Sequence, residues 1–171
     1  MRVDNIILIG FMGVGKGSVA RAVISRSELI AIDTDDIIES MENRRIKKIF
    51  SEEGEPYFRN LERKVALWLE KSVTDTLVST GGGFYKVPNI KSIGTVVLLD
   101  ASFDTIYSRI INHPNAKKKL KKRPLFQDVE KARELYNERD PQYRALADVV
   151  IDVTGKSVEE IAQELLTKVK K

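Results

Sequence analysis

The chain contains no cysteine. Disulfides and thiolate-held metals are therefore excluded as sources of stability or chemistry. Histidine occurs once, at His113 beside Pro114, which reads as a surface-loop residue without a partner imidazole. No apolar run approaches the ~20 residues that a membrane span needs. The opening "MRVDNIILIGF" runs straight into a glycine-rich turn and has no cleavage site, so it is not read as a signal peptide. An excess of one charge is also largely missing. The net charge is +4, but six basic residues lie in "KKKLKKR" at 117–123, and the remainder carries 23 basic against 25 acidic residues. The positive charge is local, and no interleaved aromatics accompany it, so a nucleic-acid partner is not expected. There is no internal repeat and no Pro/Ser/Gly linker. The 171 residues read as one domain, 1–171, with no membrane partner. A cytoplasmic location fits, and nothing points beyond a monomer.

What is present is an alternation of apolar runs and helical patterns. "NIILI" (5–9), "LIAID" (29–33), "TLVST" (76–80), "GTVVLLD" (94–100) and "ADVVID" (147–152) read as strands. Helices are expected at about 15–25, over "DDIIESMEN" and over "IKKIFSEEG" up to Gly54. Another begins near Pro56, which suits a first helical turn because its missing N–H is not needed there. In that helix Phe58, Leu61, Val65, Trp68 and Leu69 recur as a buried stripe. Further helices are expected at 102–112, at 127–145 with Pro141 as a kink or break, and after the capping box of Ser157 and Glu160. Strands alternating with helices predict an α/β fold, three layers αβα around a five-stranded parallel sheet. Ligands in such sheets sit at the carboxyl ends of the strands. Three polar or glycine-rich segments fall there: the loop after Ile9, Asp33 to Asp35, and Gly81 to Gly83.

The first segment, "GFMGVGKGSVAR" at 10–21, follows the phosphate-loop pattern G-x-x-x-x-G-K through Gly10, Gly15 and Lys16. Backbone N–H groups from Gly13 to Ser18 would form an anion nest at a helix N-terminus, and Lys16 would reach the β- and γ-phosphates. The position after the lysine usually carries a Ser or Thr that binds Mg²⁺. Here it is Gly17, and the hydroxyl comes one place later at Ser18, placed for an α-phosphate. Mg²⁺ tolerates such a loss because it keeps waters and binds mainly to substrate phosphates. Support then falls to a nearby acidic residue, and "DTDD" at 33–36 offers Asp33 and Asp35. One carboxylate can serve the metal and the other can take a hydroxyl proton. Asp36 reads as a helix cap. In "FRNLE", Arg59 and Glu62 share a helix face, either as a surface pair or as an anion-binding arginine held by its glutamate. Three successive glycines, Gly81, Gly82 and Gly83, allow close approach to the backbone. The basic stretch ending at Arg123 reads as a solvated loop or a mobile lid over the phosphates.

Together "GFMGVGKGSVAR", "IDTDD", "FRNLE", "STGGG", "RPL" and "NERDPQYR" resemble the shikimate kinase family in order and spacing, over nearly the whole chain. The resemblance implies a nucleoside-monophosphate-kinase-like P-loop fold with a substrate-binding region near 33–62 and a lid near 112–124. It implies transfer of the γ-phosphoryl group of ATP to the 3-hydroxyl of shikimate, in chorismate and aromatic amino acid biosynthesis, with Mg²⁺ as cofactor. It makes Lys16, Asp35 and Arg123 the catalytic candidates. Asp35, Arg59, Arg139, Gly81, Gly82 and Gly83 would bind shikimate. Gly13, Val14, Gly15, Lys16, Gly17, Ser18, Arg109, Arg123 and Lys156 would bind the nucleotide, with Arg109 and Lys156 on the adenine side. Asp33 would support Mg²⁺ through water, and Glu62 would brace Arg59. Gly17 departs from the family's usual Ser or Thr and leads to an expectation of weaker, more water-mediated metal binding. The alternative acceptors are a nucleoside monophosphate, gluconate or another small alcohol.

Overall fold

The computed structural model describes residues 4–169. Within them five strands form one parallel sheet: β1 (Asn5–Ile9), β2 (Ile30–Asp33), β3 (Thr76–Ser79), β4 (Gly94–Asp100) and β5 (Val149–Asp152), in the order β2-β3-β1-β4-β5. Central strands covered on both faces need apolar side chains on both. Accordingly all of β1 is buried, and so are Val96 to Leu99 of β4. Each such buried Ile, Leu or Val stabilises the fold by roughly 1.5–3 kcal/mol relative to exposure. Asn5 is the polar exception at the start of β1. Its amide donates to Val73 O and Ile93 O and its Oδ1 accepts from Thr76 N, which ties the entries of β1, β3 and β4 together.

The helices are α1 (Lys16–Ile24), α2 (Thr34–Glu42), α3 (Ile46–Glu53), α4 (Glu55–Ser72), α5 (Ile90–Ile93), α6 (Phe103–Ile111), α7 (Ala116–Lys122), α8 (Val129–Leu146) and α9 (Val158–Val169). α1 packs on α9 and on the β2–β3 side of the sheet, while α2, α3 and α4 pack on one another beyond the carboxyl end of β2. Arg44 holds that second group together. It pairs with Glu42, Glu52 and Glu53, and Glu42 also accepts from the Tyr57 hydroxyl. The capping box opens α9 with both arms made: Glu160 N donates to Ser157 Oγ, and Ser157 N donates to Glu160 Oε2. β1 is the switch point of the sheet. Its loop leads away toward β2, while the chain after β3 crosses to the other side, so the crevice for a ligand opens above β1.

Four expectations are corrected. Trp68 is not in the core stripe of α4; it is 46% exposed. The buried positions are Phe58, Glu62, Val65, Ala66 and Leu69, and Trp68 lies roughly 100° around the helix from their centre. A charged residue, Glu62, occupies the middle of the buried face, where a search for apolar side chains does not look. The basic run is not a loop. It forms α7, where Leu120 packs against the core and Lys119, Lys121 and Lys122 face the negative end of the helix dipole. Pro141 does not break α8, which continues through it. Asp36 does not cap α2; Asp33 does, and Asp36 sits inside the first turn.

Candidate active site

The phosphate loop forms as local chemistry demands. Gly10, Gly13 and Gly15 all have positive φ, at 150°, 88° and 106°, values that side chains rarely tolerate. Gly15 precedes α1 as its cap without any side-chain hydrogen bond, so the first-turn N–H groups stay available to an anion. Val14 is buried, and its N donates to Phe11 O at 3.1 Å. Lys16 folds back along the loop, with Nζ 2.6 Å from Gly10 O and 3.3 Å from Phe11 O. Removal from water lowers its pKa to about 8, offset by the charges of Asp35 and Asp33 and reinforced by Arg139 and Arg123. Arg123, at the end of α7, makes no ion pair among the described residues, and burial lowers its pKa. Two cations thus stand close to each other at a loop built for phosphate.

The acceptor side is assembled on the three glycines after β3. Each faces a different charged side chain. A β-carbon on Gly81 would lie 2.6 Å from Asp35 Oδ1, and one on Gly82 would lie 2.9 Å from Arg139 Nη1. On Gly83 it would overlap the guanidinium of Arg59. The glycines are therefore required by close approach. The loop is fixed from both sides: Gly81 N donates to Thr34 Oγ1 at 3.1 Å, and the Tyr143 hydroxyl donates to Gly82 O at 2.6 Å. Arg59 pairs with Glu62 at 2.5 Å and with Glu55 at 3.2 Å, and stacks over Phe58. Glu62 is almost wholly buried, and desolvation raises its pKa despite Arg59. Asp35 is raised to about 7, first by desolvation and then by the charges of Asp33 and Glu62, with Lys16 opposing. Among the described residues, the buried side-chain polar atoms without a partner are Asp35 Oδ1, Glu62 Oε2, Tyr85 Oη and Arg139 Nε. Two acceptors and two donors are left open, all in this one crevice.

Asp33 uses Oδ1 to cap α2, accepting from Asp35 N and Asp36 N at 2.9 and 3.1 Å. Its second oxygen accepts no hydrogen bond among the described residues. A side chain at Gly17 would have room, the nearest atom to a β-carbon being Arg21 Nη1 at 3.6 Å, but glycine supplies no ligand there. Ser18 Oγ is exposed and accepts from Arg21. No cluster of three or more His, Asp or Glu able to cage a metal exists among the described residues. These groups suit a cation brought by a polyphosphate and held through water, not one held by the protein alone. Farther out, Arg109 donates to Val153 O at 3.0 Å and borders an open hollow on α6 with Asp104, Thr105, Ser108 and Asn112. Lys156 is paired with Glu164 at 2.6 Å.

The structure brings Lys16, Asp33, Asp35, Arg59, Glu62, Arg123, Arg139 and the three glycines to one sheet edge. Arg109 and Lys156 lie farther along the same carboxyl edge, beside the end of β5. Sequence reasoning overlooked Thr34, Tyr85 and Tyr143. Only Tyr143 carried a usable signal, its four-residue spacing from Arg139, which puts both on one face of α8.

A family model described as "Shikimate kinase" matches residues 12–170. The chain belongs to the shikimate kinase family. It is 37% identical over 163 residues to the shikimate kinase of Helicobacter hepaticus, covering 95% of this chain and 94% of that one. It is 39% identical over 174 residues to that of Sulfurihydrogenibium sp., covering 98% of each. The fold matches the shikimate kinase of Acinetobacter baumannii, solved in complex with shikimate, with a TM-score of 0.83 at 32% identity over 98% of this chain and 93% of that one. A gluconokinase from Sinorhizobium meliloti, at TM-score 0.57 and 17% identity over 97% of this chain and 91% of that one, shares the fold alone. The architecture is thus the nucleoside-monophosphate-kinase-like P-loop fold, and the enzyme is an ATP-dependent kinase.

Proposed function

We propose that the protein transfers the γ-phosphoryl group of ATP to the 3-hydroxyl of shikimate, giving shikimate 3-phosphate and ADP. The observation that carries this reading is the matching of three consecutive glycines to Asp35, Arg139 and Arg59 beside a phosphate loop. Shikimate is a small carboxylate bearing several hydroxyls. Two guanidiniums suit the carboxylate, one carboxylate suits the hydroxyls, and bare backbone lets the ring come close.

Asp35 accepts the proton of the attacking hydroxyl as its oxygen bonds to the γ-phosphorus. The bond from that phosphorus to the β–γ bridging oxygen breaks, and ADP leaves. Lys16 and Arg123 stabilise the charge spreading over the transferred group. Arg59, braced by Glu62, and Arg139 hold the carboxylate, and Gly82 lends its backbone to the substrate. Asp33 would hold a Mg²⁺ ion through water, and that ion, brought with ATP, would supply positive charge to offset the phosphates. Residues 33–62, which span α2, α3 and the start of α4, form the substrate-binding region. Residues 112–124, which include α7, form the lid that brings Arg123 over the phosphates. The protein works as one domain and one monomer in the cytoplasm, without nucleic acid. No helix among the described residues is long and apolar enough to cross a membrane.

The test is ADP release with ATP and Mg²⁺ in the presence of shikimate, gluconate or a nucleoside monophosphate. Turnover is expected with shikimate, and Asp35→Asn is expected to reduce it by about 10²–10⁴-fold. Turnover only with another acceptor would discard the substrate assignment.

A further inference from the structure

Two tyrosines that the proposed chemistry does not use close the back of the carboxylate site. Tyr85 follows the glycines in a 3₁₀ turn, Phe84–Lys86, and is 4% exposed. Tyr143 lies on α8 one turn after Arg139 and is 2% exposed. Their rings meet edge to face at 5.0 Å. Such a contact fixes the rings' relative orientation and contributes about 0.5–1.5 kcal/mol beyond burial. Tyr143 spends its hydroxyl proton on Gly82 O. Tyr85 does not: its hydroxyl is buried against the Arg139 guanidinium without a well-formed hydrogen bond to it, and Nε of Arg139 is likewise unpaired. The charge of Arg139 acts on both phenols, and desolvation outweighs it, raising the Tyr85 pKa and pushing that of Tyr143 to about 12. Both therefore remain protonated donors near neutral pH.

The geometry points to a positioning role: we propose that Tyr85 and Tyr143 set the guanidinium of Arg139 and the Gly82–Gly83 peptide against the carboxylate of the acceptor. A peptide flanked by glycines flips easily, and the Tyr143 hydroxyl locks it. Arg139, with Nη1 close to Gly82, has a long side chain and no ion pair among the described residues to hold it. The phenol pair provides the wall. The Tyr85 hydroxyl faces the same guanidinium, so both phenols bear on it. This inference rests on the reading that Arg59 and Arg139 hold a carboxylate.

Two conservative variants test it, Tyr143→Phe and Tyr85→Phe, which keep the rings. Calorimetric titration without ATP would use shikimate and its analogue with the carboxylate reduced to a hydroxymethyl group. For shikimate, the dissociation constant is expected to rise roughly tenfold in Tyr143→Phe and about threefold in Tyr85→Phe, the loss of one hydrogen bond in each case. For the analogue the change stays below about twofold, because no anion remains for Arg139 to hold. Equal losses for both ligands, or no loss for either, would overturn the proposal. A wild type that binds neither would instead overturn the substrate assignment.

Discussion

The donor and acceptor sides of the crevice differ in how they stand when empty. The phosphate loop is nearly self-sufficient: Lys16 rests on the carbonyls of Gly10 and Phe11, and its glycines adopt conformations natural to them. The acceptor pocket keeps four polar atoms buried and unpaired, and crowds three charged side chains against bare backbone. One region holds its shape by bonds within the loop, the other by bonds that reach the glycines from α2 and α8. The acceptor side therefore carries the specificity. Buried polar groups that only the right ligand satisfies reject the wrong ligand strongly, whereas the loop would receive any polyphosphate.

Breaking the close approach should have the largest effect. Gly83→Ala places a methyl on the Arg59 guanidinium. Shikimate affinity by titration is expected to fall on the order of 10- to 100-fold, a charged hydrogen-bond partner being displaced, while ATP affinity stays the same. An equal loss for ATP would mean that the two regions are not separable.

The pH profile sharpens the comparison next. Asp35 must be ionised to accept a proton, and its pKa is raised to about 7. The kcat/KM for shikimate should therefore climb about tenfold per pH unit below that value and level off above it. Lys16, lowered to about 8, should impose a decline on the alkaline side as its charge is lost. The two groups interact, so the limbs belong to the pair. A profile flat from pH 5 to 7 would remove Asp35 as the base.

Stability should respond with opposite signs on the two sides. The native state keeps the Asp35 proton that the unfolded chain releases near 3.8, so this group's contribution to stability falls as pH rises from there to about 7. Asp35→Asn should abolish that fall and raise the melting temperature at pH 7. Lys16, lowered to about 8, gives the opposite slope: the folded state sheds a proton that the unfolded chain keeps up to 10.5, so stability rises with pH across that window, and Lys16→Met should abolish the rise. Thermal melts of both variants without ligand check the contrast.

The smallest effect is expected at Gly17. There is room for a side chain there, and Gly17→Ser restores a hydroxyl at the usual metal position. The Mg²⁺ concentration for half-maximal turnover should fall about two- to threefold, the gain from exchanging a bound water for a fixed ligand. An unchanged Mg²⁺ dependence would show that Asp33, water and the nucleotide already suffice.

Much of this was legible in the chain itself. Five apolar runs, the phosphate loop and the acidic, arginine and triple-glycine segments follow from local pattern. Backbone conformation and strand burial depend on near neighbours and leave periodic traces. α7 and the exposure of Trp68 turn on what packs against each, whereas the capping by Asp33 turns on the residue at which α2 begins. Glu62 takes the buried centre of α4 only because Arg59 needs it there. The sequence by itself determined the fold class, the phosphate loop and most of the charged candidates. Tertiary structure alone decided that each glycine faces one particular charge, that Tyr143 grips Gly82 and that four polar atoms stay unpaired. Those facts join residues 24 to 61 positions apart, and side-chain contacts over such separations have no periodicity to read.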